Sequence, residues 1–343
     1  MRRIILDVMG GDNAPVALLE GAFNASFHLS KKETQLVLVG NKNIIESAIC
    51  ARSLTSLLQS ATIVHASEVV EMSDTLKVVR SKPDSSLSVG LKIALEDKYN
   101  SAFITAGHSG VAMASALVLM KRLPGIARPA LAVTIPTLNS RGCLLIDVGA
   151  NIDCTPDNLY EFAIMASIFR ENADRLPRIG VLSNGEEKSK GTKLTQKAYE
   201  LIENSTVLKK YAQFIGYVEG KDLFDPQVDI VVMDGFVGNA VLKSLEGAVS
   251  TITTMVKDEV RTSNLAKLGV LLASKVFKRV KQRLDYDEHG GAPLLGVAGY
   301  SFICHGRSNA NAISNAVIRA DKAVKNGFLS KLETVMKEIV DKR

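Results

Sequence analysis

Three apolar runs of this 343-residue chain end in an aspartate with glycine within three residues: Asp7 before Gly10, Asp147 before Gly149 and Asp234 before Gly235. A fourth run ends in Gly107-His108-Ser109-Gly110. Turns of this kind let backbone N–H groups approach an anion at the start of a helix, and phosphate sites add one or two cations. Gly10-Gly11, the 107–110 turn, Gly290-Gly291 and His305-Gly306-Arg307-Ser308 all have this character. Lys82 and Lys190, each in a loop beside Gly, Pro or Ser, are the candidate cations, with a solvated lysine as the alternative. Neither G-x-x-x-x-G-K-[ST] nor G-x-G-x-x-G occurs, so ATP and dinucleotide readings lack their usual fingerprints. Asp7, Asp12, Asp147 and Asp234 are either magnesium ligands or organisers of backbone and side chains, and for Asp7, Asp147 and Asp234 the cost of an unpaired buried carboxylate favours the second. Asp12 and Asn13 read as helix caps. His108 and His305 are each a general acid, an anion donor or a locally packed imidazole. The absence of a G-x-S-x-G elbow, and of a cysteine with an evident partner, argues against a covalent acyl-enzyme.

The elements that must position these groups alternate between strand and helix. Strands are expected at 4–8, 35–39, 101–105, 131–135, 143–146, 179–182, 214–218 and 228–233, with 61–84 less regular. Helices are expected from Pro15 to about 29, from 41 to about 50, and over 87–99, 111–122, 156–172 and 194–204, with Ser85 or Ser86 capping the helix at 87. Further helices follow Asp234, open after His305 to about 325, and close the chain at 329–341. This alternation signals a parallel sheet with crossover helices. If the polar strand ends share its carboxyl edge, they converge on one crevice. Beyond residue 245 the apolar spacing predicts a helical hairpin over 245–284, its second helix running unbroken from about 264. Between Val260 and Leu284 there is no acidic residue, whereas Arg261, Lys267, Lys275, Lys278, Arg279, Lys281 and Arg283 are basic. A basic amphipathic hairpin suits a membrane surface, a partner helix or a dimer contact.

The length exceeds the roughly 250 to 300 residues at which single cores stop growing, so one large or two closely joined α/β units are expected. Hydrophobic residues at 46% and charged residues at 23% describe a globular chain. The formal charge of +6 calls for an anionic partner. Nucleic acid is the weaker candidate, because the basic residues are not interleaved with aromatics. Cys50, Cys143, Cys154 and Cys304 lie far apart and read as reduced cytosolic thiols. No run reaches the ~18 apolar residues of a membrane span, so a cytoplasmic protein, soluble or peripheral at the membrane's inner face, is expected.

Taken together, the segments resemble the phosphate acyltransferase (PlsX) family. The resemblance is carried by Asp7-Val-Met-Gly-Gly-Asp-Asn-Ala-Pro15, Arg80-Ser-Lys-Pro-Asp-Ser-Ser86, Thr105-Ala-Gly-His-Ser-Gly110 and Asp147-Val-Gly-Ala-Asn151. It continues in Asn184-Gly-Glu-Glu187 with Lys190-Gly191, Gly216-Tyr-Val-Glu-Gly220, Asp234-Gly-Phe-Val-Gly-Asn239, His289-Gly-Gly-Ala-Pro-Leu-Leu-Gly296 and His305-Gly-Arg-Ser308. These span nearly the whole chain in the family's order. The family usually has Asn-Thr where this chain has His108-Ser109, which leaves the role of His108 open.

The resemblance implies a three-layer α/β/α fold with a mixed sheet, similar to isocitrate and isopropylmalate dehydrogenases. It implies residues 1–343 as one domain of two intertwined subdomains, usually a homodimer. The implied reaction is transfer of a fatty acyl group from acyl-acyl carrier protein to inorganic phosphate, feeding a membrane glycerol-3-phosphate acyltransferase in phospholipid synthesis, with no metal or other cofactor. An acidic carrier protein also gives the basic balance a partner. On this reading His305, Asn239, Asp234, Ser109 and Lys190 are the catalytic candidates. Gly10, Gly11, Asp12, Lys82, Ser86, Gly107, His108, Asn151, Gly235, Gly290, Gly291 and Ser308 are the binding candidates. Alternatives are a metal-dependent dehydrogenase on a similar fold and a non-catalytic membrane-surface scaffold.

Overall fold

A computed structural model describes residues 1–138, 141–171, 175–284 and 290–341. Among these, eleven strands join one sheet: β1 Arg2–Asp7, β2 Thr34–Gly40, β3 Ala61–His65, β4 Ser101–Thr105, β5 Ala130–Ile135, β6 Cys143–Ile146, β7 Arg178–Leu182, β8 Gln213–Val218, β9 Ile230–Val232, β10 Ala292–Leu295 and β11 Tyr300–Ile303. The α-helices are α1 Val16–Ser26, α2 Lys42–Ala51, α3 Ser56–Ser60, α4 Val78–Ser81, α5 Ser86–Glu96, α6 Ser109–Met120, α7 Pro156–Phe169, α8 Lys193–Asn204, α9 Gly235–Thr262, α10 Asn264–Leu272, α11 Ser274–Leu284, α12 Ala310–Lys325 and α13 Phe328–Asp341. β3, β10 and β11 were not expected. All three are short, and β10 and β11 sit in a Gly- and Pro-containing stretch that carries little periodicity.

The strand order is β3-β2-β1-β4-β11-β10-β5-β6-β9-β7-β8. Pairing is parallel from β3 to β11, antiparallel across β11/β10, β10/β5 and β5/β6, and parallel again from β6 to β8. The mixed sheet is therefore two parallel sets that point in opposite directions. The polar strand ends do not share one carboxyl edge. They meet because the two sets are staggered: Ile303 at the end of β11 pairs with Ala292, whereas Leu294, two residues along β10, pairs with Leu131. The Leu131 carbonyl in turn accepts the Val148 N–H, just beyond β6. The carboxyl ends of the two sets thus face each other across a short length of β10 and β5.

Side-chain alternation along the strands divides the core by face. Ile4, Leu6, Ala102, Ile104, Leu144, Ile146, Ile230 and Val232 enter one continuous core that runs beneath the whole sheet, covered by helices including α1, α7, α12 and α13. On the opposite face Ile5 and Phe103 join a cluster with α5 and α6, while Leu145 and Val231 join a separate one with the start of α9. Helices therefore cover both faces, but one cover is interrupted. Leu131 packs against both clusters at the interruption.

The projecting hairpin differs from expectation in one respect. The stretch after Asn264 is two helices, α10 and α11, separated at Ala273. Of the 28 residues of α9 only Gly235 and Gly238 are buried, and no residue of α10 is. The segment is held at its root. There a Cβ on Gly238 would lie 1.8 Å from the Asp147 carbonyl oxygen. Gly238→Ala is expected to force the helix start off its seat and to cost about 1 to 3 kcal/mol, the usual range for overpacking. Thermal unfolding checks this, and an unchanged midpoint would mean that the docking is looser than described.

Candidate active site

The Asp147 turn is built around its own carboxylate. Oδ1 accepts the N–H groups of Leu131 (3.0 Å), Gly149 (3.2 Å) and Ala150 (3.0 Å). Oδ2 accepts the Asn151 N–H (2.7 Å) and its Nδ2 (2.9 Å). Burial raises this carboxyl above its ordinary range, and the hydrogen bonds from Ala150, Asn151 and Leu131 oppose that rise. Every partner is a donor, so the charged, accepting form is the one the site is shaped to hold. Asn151 also gives its amide to the Pro129 carbonyl at 2.7 Å, and its own carbonyl accepts the Gly235 N–H at 2.8 Å. Asn151 is therefore a brace between β6 and α9. Asp234 caps α9, accepting the Val237 N–H at 2.9 Å. A cap of this kind is worth about 1 kcal/mol.

Asp7 does the same work in the other set. It accepts the Thr105 hydroxyl at 2.8 Å and the Met9 N–H at 3.1 Å, and Ser86 also bonds to it; burial raises its carboxyl. Thr105 Oγ1 accepts the Gly107 N–H at 3.0 Å. Gly10 fits against Asp7 and Gly107, and Gly11, with φ +105°, lies under the carbonyls of Ala106 and Gly306. Asp12 and Asn13 do not cap α1, which has no side-chain cap. Instead the Asp12 N–H donates to the Gly306 carbonyl at 2.8 Å, and Asp12 Oδ2 stands 3.9 Å from Arg307 Nε. Asn13 Nδ2 reaches the carbonyls of Arg307 (3.1 Å) and Ser308 (3.3 Å). The first turn of the chain thus fixes the 305–308 loop.

At the interruption on the sheet face lies a cleft of about 340 Å³. Ser109, Asn239, His305 and Ser308 bring polar groups to it, from the starts of α6 and α9 and the approach to α12. Helix N-termini favour anions. Met113, Leu131, Val133 and Leu242 form its apolar wall. His305 Nδ1 accepts the Arg307 N–H at 3.2 Å, so the neutral ring carries its proton on Nε2 and is a donor. His108 Nδ1 likewise accepts the Val111 N–H at 3.3 Å and caps α6; its ring does not line the cleft.

The other expected residues are dispersed. Gly291 lines the cleft, while Gly290 packs against the backbone of Asn315. Gly235 is buried against the Asn151 carbonyl. Lys82 Nζ is taken up by Asp74 at 2.6 Å and the Val69 carbonyl at 2.9 Å. Lys190 is exposed in the loop after β7, away from the cleft. His289, part of the 289–296 motif, lies outside the described residues.

The cations that do line the cleft are Lys243 and Arg319. Lys243 pairs with Glu246 at 2.8 Å, and both share a face of α9 with Asn239 and Leu242 at helical spacing. Arg319 donates to Thr134 Oγ1 at 2.9 Å and to the Gly291 carbonyl at 3.3 Å. Burial lowers its guanidinium to about 10, with Arg170 adding to the effect, which leaves it charged at neutral pH. Arg319 continues the core-facing spacing of Ala312, Ala316 and Ala323, and a charge at a core position was the signal available for it. The acids that could hold a metal among the described residues are Glu186, Glu219 and Asp222, in the loops after β7 and β8. Lys221 already sits among them, 2.7 Å from Glu219.

The profile of the family described as "Fatty acid synthesis protein" matches residues 2–331. A "Phosphate acyltransferase" of Geotalea uraniireducens is 43% identical over 340 residues, covering 98% of this chain and 94% of that protein. A phosphotransacetylase from Streptococcus pyogenes shares the fold with a TM-score of 0.59 at 19% identity, covering 94% of each chain. A putative 4-hydroxythreonine-4-phosphate dehydrogenase from Salmonella typhimurium aligns with a TM-score of 0.50 at 13% identity, over 95% of this chain and all of that one. The dehydrogenase-like fold expected from the motifs is thus shared with both kinds of enzyme, and by profile and full-length identity the chain belongs to the family of the phosphate acyltransferases.

Proposed function

We propose that the chain moves a fatty acyl group from acyl-acyl carrier protein to inorganic phosphate by direct attack, with no covalent acyl-enzyme. The observation that carries this is the cleft itself, which gathers anion-favouring helix starts, neutral donors and apolar side chains in one space. Phosphate held by Ser109, Ser308 and the nearby backbone is already a nucleophile, so the protein has to position it and stabilise the oxyanion on the thioester carbonyl. Asn239 and the His305 Nε2–H are the donors for that oxyanion. A phosphate oxygen forms the new C–O bond as the C–S bond breaks. The thiolate leaves and takes a proton from water. His305 therefore acts as a donor rather than a general acid. The dehydrogenase alternative needed Asp7, Asp147 and Asp234 to share a metal. Their hydrogen bonds are spent on separate turns instead.

The same reading gives the projecting segment a role at a membrane surface. Ile252, Met255, Leu265, Leu271, Leu272 and Val276 are between 61% and 80% exposed, beside an acid-free basic stretch. Among the described residues no helix is long and apolar enough to cross a membrane. Such a surface suits anionic bilayers, where an acyl product would be handed on.

Phosphate-dependent release of free thiol from acyl-acyl carrier protein, without added metal or nicotinamide, is expected; no release with several chain lengths would refute the assignment. Asn239→Ala and Ser308→Ala are each expected to lower that turnover by about 10²-fold, the effect of losing one preorganised donor. Full activity in both folded variants would move the chemistry elsewhere. Leu271→Glu is expected to reduce sedimentation with anionic vesicles, and unchanged sedimentation would remove the membrane role.

A further inference from the structure

The donors of the cleft serve phosphate and a thioester carbonyl, and its apolar side chains serve neither. Ser109 and Met113 stand four residues apart on α6 and are neighbours on its surface, as Asn239 and Leu242 are on α9. Met113 packs against the cluster that α5 and α6 form, Val133 and Leu242 against the one at the start of α9, and Leu131 against both. None of the four is fully buried. An apolar seam therefore begins within one helical turn of Ser109 and of Asn239. Two helices could carry it further. Along α9 the next residues that line the cleft are Lys243 and Glu246, an ion pair at 2.8 Å. A hydrocarbon chain laid on that pair would take water from two charges and return no hydrogen bond. Along α6 the residue one turn beyond Met113 is Leu117, 39% exposed, and the helix holds no charged residue from Ser109 to Met120.

We propose that the acyl chain of the substrate leaves the reacting centre along α6, over Met113 and towards Leu117, and that these two side chains set the preference for chain length. The inference rests on the acyl transfer proposed above and assigns the chain its path. The other part of a carrier thioester that has to enter is the pantetheine arm, whose amides need hydrogen-bond partners. Met113, Leu117 and Leu131 have none to give, so the seam suits hydrocarbon and not the arm. Met113 is unbranched, with a soft thioether that fits itself to chains of different shape. A short acyl group ends at Met113. A longer one goes on to Leu117 and gains the apolar contact that favours it.

The test is calorimetric titration of the full chain with dodecyl phosphonate below its micellar concentration, a probe that joins an apolar chain to a phosphate-like head. Binding is expected, weakened about tenfold or more by Met113→Gln and by Leu117→Glu, roughly what losing the apolar contact of two methylene groups costs. It is expected to be unchanged by Val249→Glu, on α9 beyond the Lys243–Glu246 pair, and by Phe27→Ser at the exposed end of α1. In turnover, Met113→Gln and Leu117→Glu are each expected to lower kcat/KM for the hexadecanoyl relative to the butanoyl thioester of the carrier protein by about tenfold. No binding of the probe, unchanged affinity in Leu117→Glu, or a loss in Val249→Glu instead would overturn the path along α6. Phosphate-dependent thiol release from the butanoyl thioester reads the reaction by itself, so failure of acyl transfer and failure of the chain's path are told apart.

Discussion

The carboxylate of Asp147, withdrawn from water, is surrounded by donors from its own turn, from Asn151 and from β5. An ion in that position is costly unless each lone pair is met. Meeting them fixes the path of the 147–151 turn, and that turn is the seat on which α9 starts. Gly235 donates to the Asn151 carbonyl, and Gly238 leaves no room for a side chain against Asp147. Asn239 is placed by the following residue of the helix. One buried charge therefore determines where a cleft donor stands, through contacts that tolerate little displacement.

The strand ends were legible in the sequence because Asp and Gly interrupt apolar runs in a way that turns require. The way they meet was not legible. Strand direction depends on partners far apart in the chain, and the three antiparallel steps that reverse it run through β10 and β5, whose pairing no local pattern announces. β10 and β11 are four residues each and buried, too short for periodicity to separate them from a loop. The stagger across β10 and β5 brings the two opposed carboxyl ends together. The expected crevice therefore exists, for a different geometric reason.

Within the site, small polar residues on turns were recoverable because their types are unusual there: Ser109, Asn239, Gly291, His305 and Ser308 all reach the cleft. Loop lysines were not, since a lysine's sequence context says nothing about the carboxylate waiting for it. Lys82 is satisfied by Asp74, eight residues away on a segment read only as irregular. The apolar wall was invisible for the opposite reason. Met113, Leu131 and Val133 look like any core residue, and only the gap between two packed clusters leaves them facing the cleft.

The helix that supplies Asn239 also supplies Leu242, Lys243 and Glu246 to the cleft, then runs on into the exposed apolar segment. At 1.5 Å per residue its 28 residues span about 42 Å, so one continuous helix joins the cleft to the tip. Its root is fixed by backbone contacts at two glycines, and beyond them none of its residues is buried. A lever clamped at one end transmits displacement of its tip mainly as strain at the clamp. The clamp here is the Asp147 turn and the first turn of α9, where Asn239 is held. Under the membrane role proposed above, a surface that engages the tip acts on the position of Asn239 without touching the cleft, because both are mounted on the same helix.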